Sequence, residues 1–464
     1  MTSKRQRLLG AISRCLTDPR FLLVGGILLR FVIFVFLSPQ NNDAHADVIQ
    51  FIVDHRRLPL SNELDQAYHP PLYYILAGFV LWIFGSIKIV QVLSLVFSIA
   101  TLVVIYRIIF CTALIDNASR IYCFALACFL PQLIMFSLYV SNDTLAIFIG
   151  SLIALTTYRL IEEGNGWTQL FRLAALLGLG LSTKATFLAF APILLILVFV
   201  VGVSSQRSLA AGIVRAFILL SVAGVLGGYK YVNNYEHFRD PFINNLDFGD
   251  DWVASQKESF KGVQSYIDID LLHLMASPTV DPEAPVSTSQ SDGRGSYPLL
   301  MFGTFWYQHI SESNFGGNRR SRFKYLGSVI YLVAVIPTLI FFVGFCDFII
   351  RVPKFLLQFD LERDESRRLL WQVVMISLLT GNFALLFVAV SKYHVWSIMQ
   401  SRLLFPSIVG GLVAFSNGVT IANEFWLSDR ILKSAMFMLV ALFLLYFSSE
   451  VEIRILTELH AAAN

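Results

Sequence analysis

Charged residues are scarce in this sequence of 464 residues. They make up 14% of the chain and hydrophobic residues make up 56%, whereas about a quarter of the residues in a soluble domain are charged. The basic residues form no stripe with interleaved aromatic rings, so we expect no nucleic-acid partner. The composition predicts an integral membrane protein, because many segments reach the roughly 20 apolar residues that a helix needs to cross a bilayer.

Cysteine is also rare. The five cysteines lie in or beside apolar segments, and the sequence contains no Cys-x-x-Cys pair and no cysteine–histidine cluster. Neither a disulfide framework nor a zinc site is therefore indicated.

The apolar segments predict an all-α polytopic membrane protein with interfacial helices in its outer loops. Some of these segments are short, so we expect 11 or 12 true crossings. The candidate spans are 21–38, 72–87, 88–110, 118–138, 143–161, 171–184, 185–203, 211–231, 326–350, 369–390, 403–423 and 431–449.

Lysine and arginine in the short loops predict the orientation, because such loops stay in the cytoplasm. The basic residues 1–20 resemble a retained signal anchor with a cytoplasmic N-terminus, and the basic segment 351–368 is predicted on the same side. A large outer loop, 232–325, then separates an N-terminal transmembrane module, 1–231, from C-terminal helices, 326–464. If the protein is bacterial, the membrane is the plasma (inner) membrane.

The first outer loop, 39–70, concentrates titratable and aromatic side chains. Asp43, His45 and Asp47 directly follow the first span, and Tyr68 and His69, the latter followed by two prolines, directly precede the second. Titratable groups at both ends of this loop predict a catalytic or binding site at the membrane surface, with a carboxylate as general base. A solvated interfacial acid and an ordinary proline-initiated helix with an aromatic belt are the alternatives.

Three further polar groups stand at the edges of apolar segments. Asp143, in Ser-Asn-Asp, is either a site acid or a helix N-cap. The positive charges of Lys184 and Arg402 are energetically unfavourable beside lipid unless the side chains reach an interface or an anion. Together with the acids they fit a lipid phosphate held beside a catalytic carboxylate, and snorkelling is the alternative for each cation. In the large outer loop, Trp306, Tyr307 and His309 are candidates for a sugar or acceptor platform.

The predicted orientation leaves one conflict. The first outer loop and Asp143 are both placed outside, so an even number of crossings must separate them. Three apolar segments lie between them, 72–87, 88–110 and 118–138. One of the three is therefore expected to be a partial or interfacial helix, and Pro131 makes 118–138 a candidate.

Four motifs together resemble the GT-C glycosyltransferases, which include protein O-mannosyltransferases and bacterial lipid A aminoarabinose transferases. The order of the motifs is more specific than any one of them, and the resemblance covers residues 20 to 425. The motifs are D-x-H followed by HPPLYY (Asp43 to Tyr74), S-x-x-x-S-N-D (Ser137 to Asp143), GLSTK (Gly180 to Lys184) and QSRLLFP (Gln400 to Pro406).

The resemblance implies a GT-C-like bundle and an inverting transfer of a monosaccharide on the non-cytoplasmic face. The donor would be a polyprenyl-phosphate sugar among the membrane lipids, the acceptor a hydroxyl of a glycan, lipid or protein, and no metal or other cofactor is expected. By position Asp43 matches the base, although the family's usual Asp-Glu pair is absent here and Asp47 is the alternative. Asp143 matches a later acid. His69 matches the histidine of the family's HPP motif, and Lys184 and Arg402 match its donor-phosphate contacts. His45, Tyr68 and Gln400 are further candidate substrate contacts.

Other functions stay open from the sequence. A transporter or flippase of lipid-linked sugars would place its charges near the middle of the membrane. An oligosaccharide polymerase or ligase would use a whole glycan on a diphosphate donor. A non-catalytic membrane scaffold would leave the acids and histidines of the first outer loop unexplained.

Overall fold

The fold is taken from a computed structural model. It describes residues 18–36, 43–112, 114–164, 166–249, 254, 256–276, 294–307, 325–357, 363–425 and 429–463. Within these ranges all regular structure is helical and no β-strand occurs. The predicted all-α class is confirmed for this part of the chain.

The helices follow the chain in this order. They are α1 Pro19–Phe36, α2 His45–His55, α3 Leu72–Phe84, α4 Ile87–Phe110, α5 Arg120–Phe129, α6 Pro131–Phe136, α7 Asp143–Glu163, α8 Trp167–Leu181, α9 Phe190–Gln206, α10 Leu209–Gly227, α11 Tyr229–Phe238, α12 Gln264–Ile267, α13 Leu271–Ala276, α14 Tyr297–Trp306, α15 Leu326–Leu357, α16 Asp364–Tyr393, α17 Ile408–Phe425 and α18 Asp429–Ala463. Short 3-10 helices occur at Ala185–Ala189, Asn245–Phe248, Trp396–Ile398 and Ser401–Ser407.

Nine helices in the described ranges are long and apolar enough to cross a membrane, and the shorter helices α3, α5 and α8 are apolar as well. Each predicted span overlaps one of these twelve helices. Large apolar side chains such as Phe217, Val225 and Val388 remain exposed on the sides of the bundle. Such faces are suited to contact with lipid, because lipid chains take the place of protein as the apolar neighbours of these side chains.

Helix α3 begins and ends at the same end of the bundle, here called the Asp43 end. Near its start, Tyr74 Oη lies 2.7 Å from Nδ1 of His45. Just beyond its end, Lys88 Nζ donates to the Phe34 carbonyl near the C-terminus of α1 and lies 4.2 Å from the Phe34 ring. Its thirteen residues therefore lie across the end of the bundle.

Helices α5 and α6 together return along the full length of α4, although Pro131 separates them. At one end Arg120 Nη2 donates to the Thr112 carbonyl at 3.0 Å, and at the other Ser94 Oγ donates to the Tyr139 carbonyl at 2.6 Å. The interfacial helix is thus α3, and the proline-containing segment is not the partial one. The nine long spans, the α5–α6 pair and α8 give eleven passes within the described ranges.

The two outer loops contact each other at the Asp43 end. Ser61 Oγ donates to Asn234 Oδ1 of α11 at 2.7 Å, and Asn245 Nδ2 donates to Asp65 Oδ1 at 2.9 Å. The first outer loop is therefore held between the helix ends and the start of the large loop.

The position of α3 predicts which residues share a side of the membrane. In variants that keep one cysteine at a time, Asn62→Cys and Ser86→Cys should react with a membrane-impermeant maleimide from the same side. Native Cys111, which is exposed beyond the other end of α4, should react only from the opposite side. Reaction of Ser86→Cys from the side opposite to Asn62→Cys would show that α3 crosses the membrane.

Candidate active site

Backbone contacts join three of the four sequence motifs at the Asp43 end. The Leu72 amide, in the HPPLYY motif, donates to the Ser182 carbonyl of GLSTK at 2.8 Å. Asn142 Nδ2, from the Ser-Asn-Asp motif, donates to the neighbouring Thr183 carbonyl at 3.1 Å. Segments far apart in the sequence are thereby fixed side by side.

The fourth motif approaches through a glycine. Gly150 in α7 packs directly against the 3-10 helix Ser401–Ser407, and a Cβ added there would lie only 1.9 Å from the Pro406 carbonyl oxygen. A larger residue at this position would push the two elements apart. The close approach keeps Arg402, on this 3-10 helix, near Asp143 at the start of α7.

Two acid–cation pairs form the centre of the site. Arg402 Nη1 lies 2.9 Å from Asp43 Oδ2, and Lys184 Nζ forms a salt bridge and hydrogen bond with Asp143 Oδ1. The side chains of Asp143 and Lys184 are 4% and 7% exposed, whereas those of Asp43 and Arg402 are 27% and 15% exposed. The second pair is sealed, while the first is open to an incoming molecule.

Local structure orients each acid. Ala44 adopts a left-handed conformation with φ 54°, which turns the chain between Asp43 and His45 so that both reach the site. Asp143 lies in the first turn of α7, where the helix dipole favours a negative charge. Ser141 Oγ also donates to Asp143 Oδ2 at 3.2 Å, and the Arg402 guanidinium carbon lies 5.3 Å from the Phe136 ring centroid.

A layer of aromatic side chains covers one side of the pairs. The His45 and His69 rings stack with centroids 5.6 Å apart, and Tyr68 lies 4.1 Å from His69. Tyr74 Oη holds His45 through Nδ1 and donates to the Gln66 carbonyl at 3.4 Å. These contacts fix His45 beside Asp43 and His69 against His45 without adding a formal charge.

Burial and neighbouring charges perturb the site groups outside the membrane spans. Burial lowers the pKa of His45 to about 4, although the carboxylates of Asp43 and Asp143 oppose this. Burial, together with His45 and Lys184, lowers the pKa of His69 well below its usual value. Burial raises the pKa of Asp43, but Arg402 and His45 outweigh it, so the net pKa is lowered. Both histidines are therefore neutral at neutral pH, and Asp43 is ionised.

Not every predicted site residue joins this cluster. Asp47 is exposed on α2, whereas His45 on the same helix is buried. Gln400 lies beside Arg402 in the chain, and its amide nitrogen donates to the Ser397 carbonyl at 2.6 Å. His309 lies outside the described residues.

The predicted aromatic platform is packed inside the protein. Trp306 is buried, and its Nε1 donates to Thr338 Oγ1 at 2.8 Å. Tyr307 is buried too, with its ring in edge contact with Tyr331 and Tyr446. Neither ring offers an open face to a sugar in this structure.

Three residues join the site although the sequence did not mark them individually. Tyr74 anchors His45, Ser141 bonds to Asp143, and Phe136 packs under Arg402. Tyr74 and Ser141 lie within the motifs, so their positions were a usable signal. Phe136 directly precedes its motif and had no signal beyond that proximity. No group of three or more His, Cys, Asp or Glu side chains within the described ranges is arranged to hold a metal ion.

The sequence matches no protein-family model, and no curated protein is similar to it in sequence. Among solved structures, the chain is similar to the oligosaccharyltransferase AglB from Archaeoglobus fulgidus in complex with an inhibitory peptide and a dolichol-phosphate, with 12% identity, a TM-score of 0.42, and coverage of 94% of this chain and 56% of that one. It is also similar to ArnT from Cupriavidus metallidurans, both apo (12% identity, TM-score 0.36, coverage 85% and 76%) and bound to undecaprenyl phosphate (14%, 0.33, 87% and 77%).

The chain spans about half the length of the oligosaccharyltransferase. With identities and TM-scores this low, the likeness concerns the arrangement of helices alone.

The neutral histidines predict a pH-dependent stability. In the unfolded chain His45 ionises near pH 6.5, whereas in the fold its pKa is about 4. Between these values the unfolded state binds more protons, so stability falls as the pH drops from 6.5 to 4, by up to about 3 kcal/mol for His45 alone. His45→Gln should flatten the decline in melting temperature across this window, and His55→Gln, at an exposed position on the same helix, should not. Equal slopes in wild type and His45→Gln would contradict this assignment.

Proposed function

We propose that this multi-pass membrane protein is an inverting glycosyltransferase. It moves a monosaccharide from a polyprenyl-phosphate donor to a hydroxyl acceptor on the non-cytoplasmic face. The observation that supports this most is the pairing of an accessible carboxylate, Asp43, with a cation, Arg402, beside a second, sealed pair. This set supplies a base and two phosphate ligands at the surface where a lipid-linked sugar enters.

Asp43 is the proposed general base. It is the more accessible of the two paired acids, while Asp143 is closed in by Lys184 and Ser141. Burial raises the pKa of Asp43, but Arg402 outweighs burial and lowers it, which makes Asp43 a weak base. When Arg402 turns towards a donor phosphate, that stabilisation of the carboxylate decreases and its basicity rises. Donor binding would thereby prepare the base.

Arg402 and Lys184 are the proposed phosphate ligands. The acceptor oxygen forms a bond to the anomeric carbon while the bond from that carbon to the phosphate oxygen breaks, with its electron pair leaving on the phosphate. The phosphate gains one negative charge in this step. The acceptor proton passes to Asp43 and removes one, so the net charge of the site is conserved. Fixed cations that stabilise the charge developing on the leaving group lower the barrier.

The carrier lipid in this proposal is of the class bound in the solved structures of AglB and ArnT, which hold dolichol-phosphate and undecaprenyl phosphate. The sugar and the acceptor stay unassigned. A polymerase or ligase that uses a diphosphate donor is the second candidate, since two cations also suit that leaving group. A transporter is less favoured, because the four charged groups lie at helix ends rather than near the middle of the bundle.

We expect Asp43→Asn to lower transfer of labelled sugar from a polyprenyl-phosphate donor by about 10²-fold or more, because the substitution removes the base and keeps the size of the side chain. The matched control is Asp47→Asn, which changes an exposed acid on α2 and should retain activity close to wild type. Membrane levels and melting temperature of both variants report on folding. Wild-type turnover in Asp43→Asn would rule out this residue as the base, and loss of activity in Asp47→Asn alone would transfer the role to Asp47.

We also expect Lys184→Ala and Arg402→Ala each to raise the apparent KM for the donor and to weaken binding of undecaprenyl phosphate, because each removes a phosphate ligand. Lys392→Ala is the control, since Lys392 is a more exposed cation at the same end of the bundle, paired with Asp247. Unchanged donor binding in both site variants would show that the two cations serve only their partner acids.

A further inference from the structure

A second pocket lies beside the acid–cation pairs. It lies between α2, the first outer loop and α11 and is partly open to solvent. Most of its wall is apolar, including Ile52 and Leu58, and its polar lining includes His69, Lys230 and Asn233. The four charged residues of the acid–cation pairs are not among the described residues that line it.

Lys230 is buried in this pocket without a close counter-charge. It is 5% exposed, and no described residue forms a hydrogen bond or salt bridge with it. Glu63 is the acid that interacts electrostatically with Lys230. Its carboxylate already accepts two hydrogen bonds of 2.7 Å from Arg57 and one of 2.7 Å from the Leu60 amide. A buried ammonium without a partner is unfavourable, so the arrangement suits a ligand that supplies the missing charge.

The ammonium group remains available for an anion at neutral pH. Burial lowers the pKa of Lys230 to about 8, with Glu63 opposing the shift. This value still leaves most of the side chain protonated at pH 7.

His69 offers a second unsatisfied group at the same pocket. Its Nδ1 atom is buried and has no hydrogen-bond partner. Its ring also stacks on His45, so His69 forms a wall shared by the pocket and the acid–cation pairs. A buried polar atom without a partner in a packed protein calls for an explanation, and a bound ligand is one.

The pocket is held in shape by contacts on its far side. Asn234, on α11 beside Asn233, accepts a bond from Ser61 Oγ at 2.7 Å and donates to the Pro241 carbonyl at 3.4 Å. The first outer loop and α11 are thereby tied together. Lys230 is consequently held in place at the pocket, in contrast to a flexible lysine on the protein surface.

We propose that this pocket is a second anion-binding site, which takes a phosphate or carboxylate group carried on an apolar chain or ring. Lys230 supplies the positive charge, His69 and Asn233 supply hydrogen bonds, and the apolar wall accommodates the adjoining part of the ligand. The site does not depend on the glycosyltransferase proposal, because none of the paired charges takes part in it.

The test uses the full-length protein in nanodiscs, with inorganic phosphate and with phosphatidic acid as probes, and with phosphatidylcholine as the lipid control. Binding is measured as a rise in melting temperature and as protection of Lys230 from acetylation, read by mass spectrometry. The variant Lys230→Met removes the charge at similar length. Lys392→Met controls for loss of a cation at the same end of the bundle.

We expect a probe to stabilise wild type and Lys392→Met, and to bind Lys230→Met at least 10-fold more weakly. Without a probe, Lys230→Met should have a higher melting temperature than wild type, because the substitution removes a buried charge that lacks a partner. This higher melting temperature would confirm that the variant folds. Protection by phosphatidic acid alone would identify a lipid headgroup as the ligand, and protection by inorganic phosphate would identify a free anion. Equal binding to Lys230→Met and wild type, or no protection of Lys230 by either probe, would overturn the proposal.

Discussion

The structure of the Asp43 end depends on pairing charges that an apolar bundle cannot hold singly. Removing one partner of a buried ion pair leaves the other uncompensated, which costs several kcal/mol. Asp43, Asp143, Lys184 and Arg402 come from four separate segments, so each pair requires distant parts of the chain to meet. The close contact at Gly150 and the backbone bonds between the motifs satisfy that requirement.

The two pairs have different roles, and the burial of each pair determines its role. In the proposed reaction the sealed pair of Asp143 and Lys184 stays together, because the ammonium group has three N–H donors and can bind a phosphate while one of them remains on Asp143. The pair of Asp43 and Arg402 is partly open and can exchange a carboxylate for a phosphate at lower cost. Neutral His45 and His69 add hydrogen-bonding groups while leaving the charge of the site unchanged, which preserves this balance.

The sequence predicted the helices and the motifs better than their orientation. Hydropathy reports which segments are apolar, and all twelve proved helical, but it cannot distinguish a crossing helix from one lying across the bundle, as α3 does. Trp306 and Tyr307 were misleading because an aromatic ring suits a packed core as well as a sugar.

Nothing in the sequence indicated how Arg30 is accommodated. This residue lies inside α1 and is fully buried, and it donates hydrogen bonds to Ser98 Oγ and to the Cys128 carbonyl, each at 2.8 Å. Such partners come from other helices, so only the folded arrangement reveals them.

Arg30 and Lys230 show how a buried cation can be interpreted in this protein. Arg30 donates to Ser98 and Cys128 on neighbouring helices and to the Gly26 carbonyl of its own helix, and this explains its place in the fold without any ligand. Lys230 has no such partners among the residues that the structure describes, and Glu63, the acid that acts on it, is already bound by Arg57. Because the paired charges on the other side of His69 already balance one another, they do not offset the charge of Lys230. The pocket is therefore a place at the Asp43 end, apart from the acid–cation pairs, where an additional anion would lower the electrostatic energy.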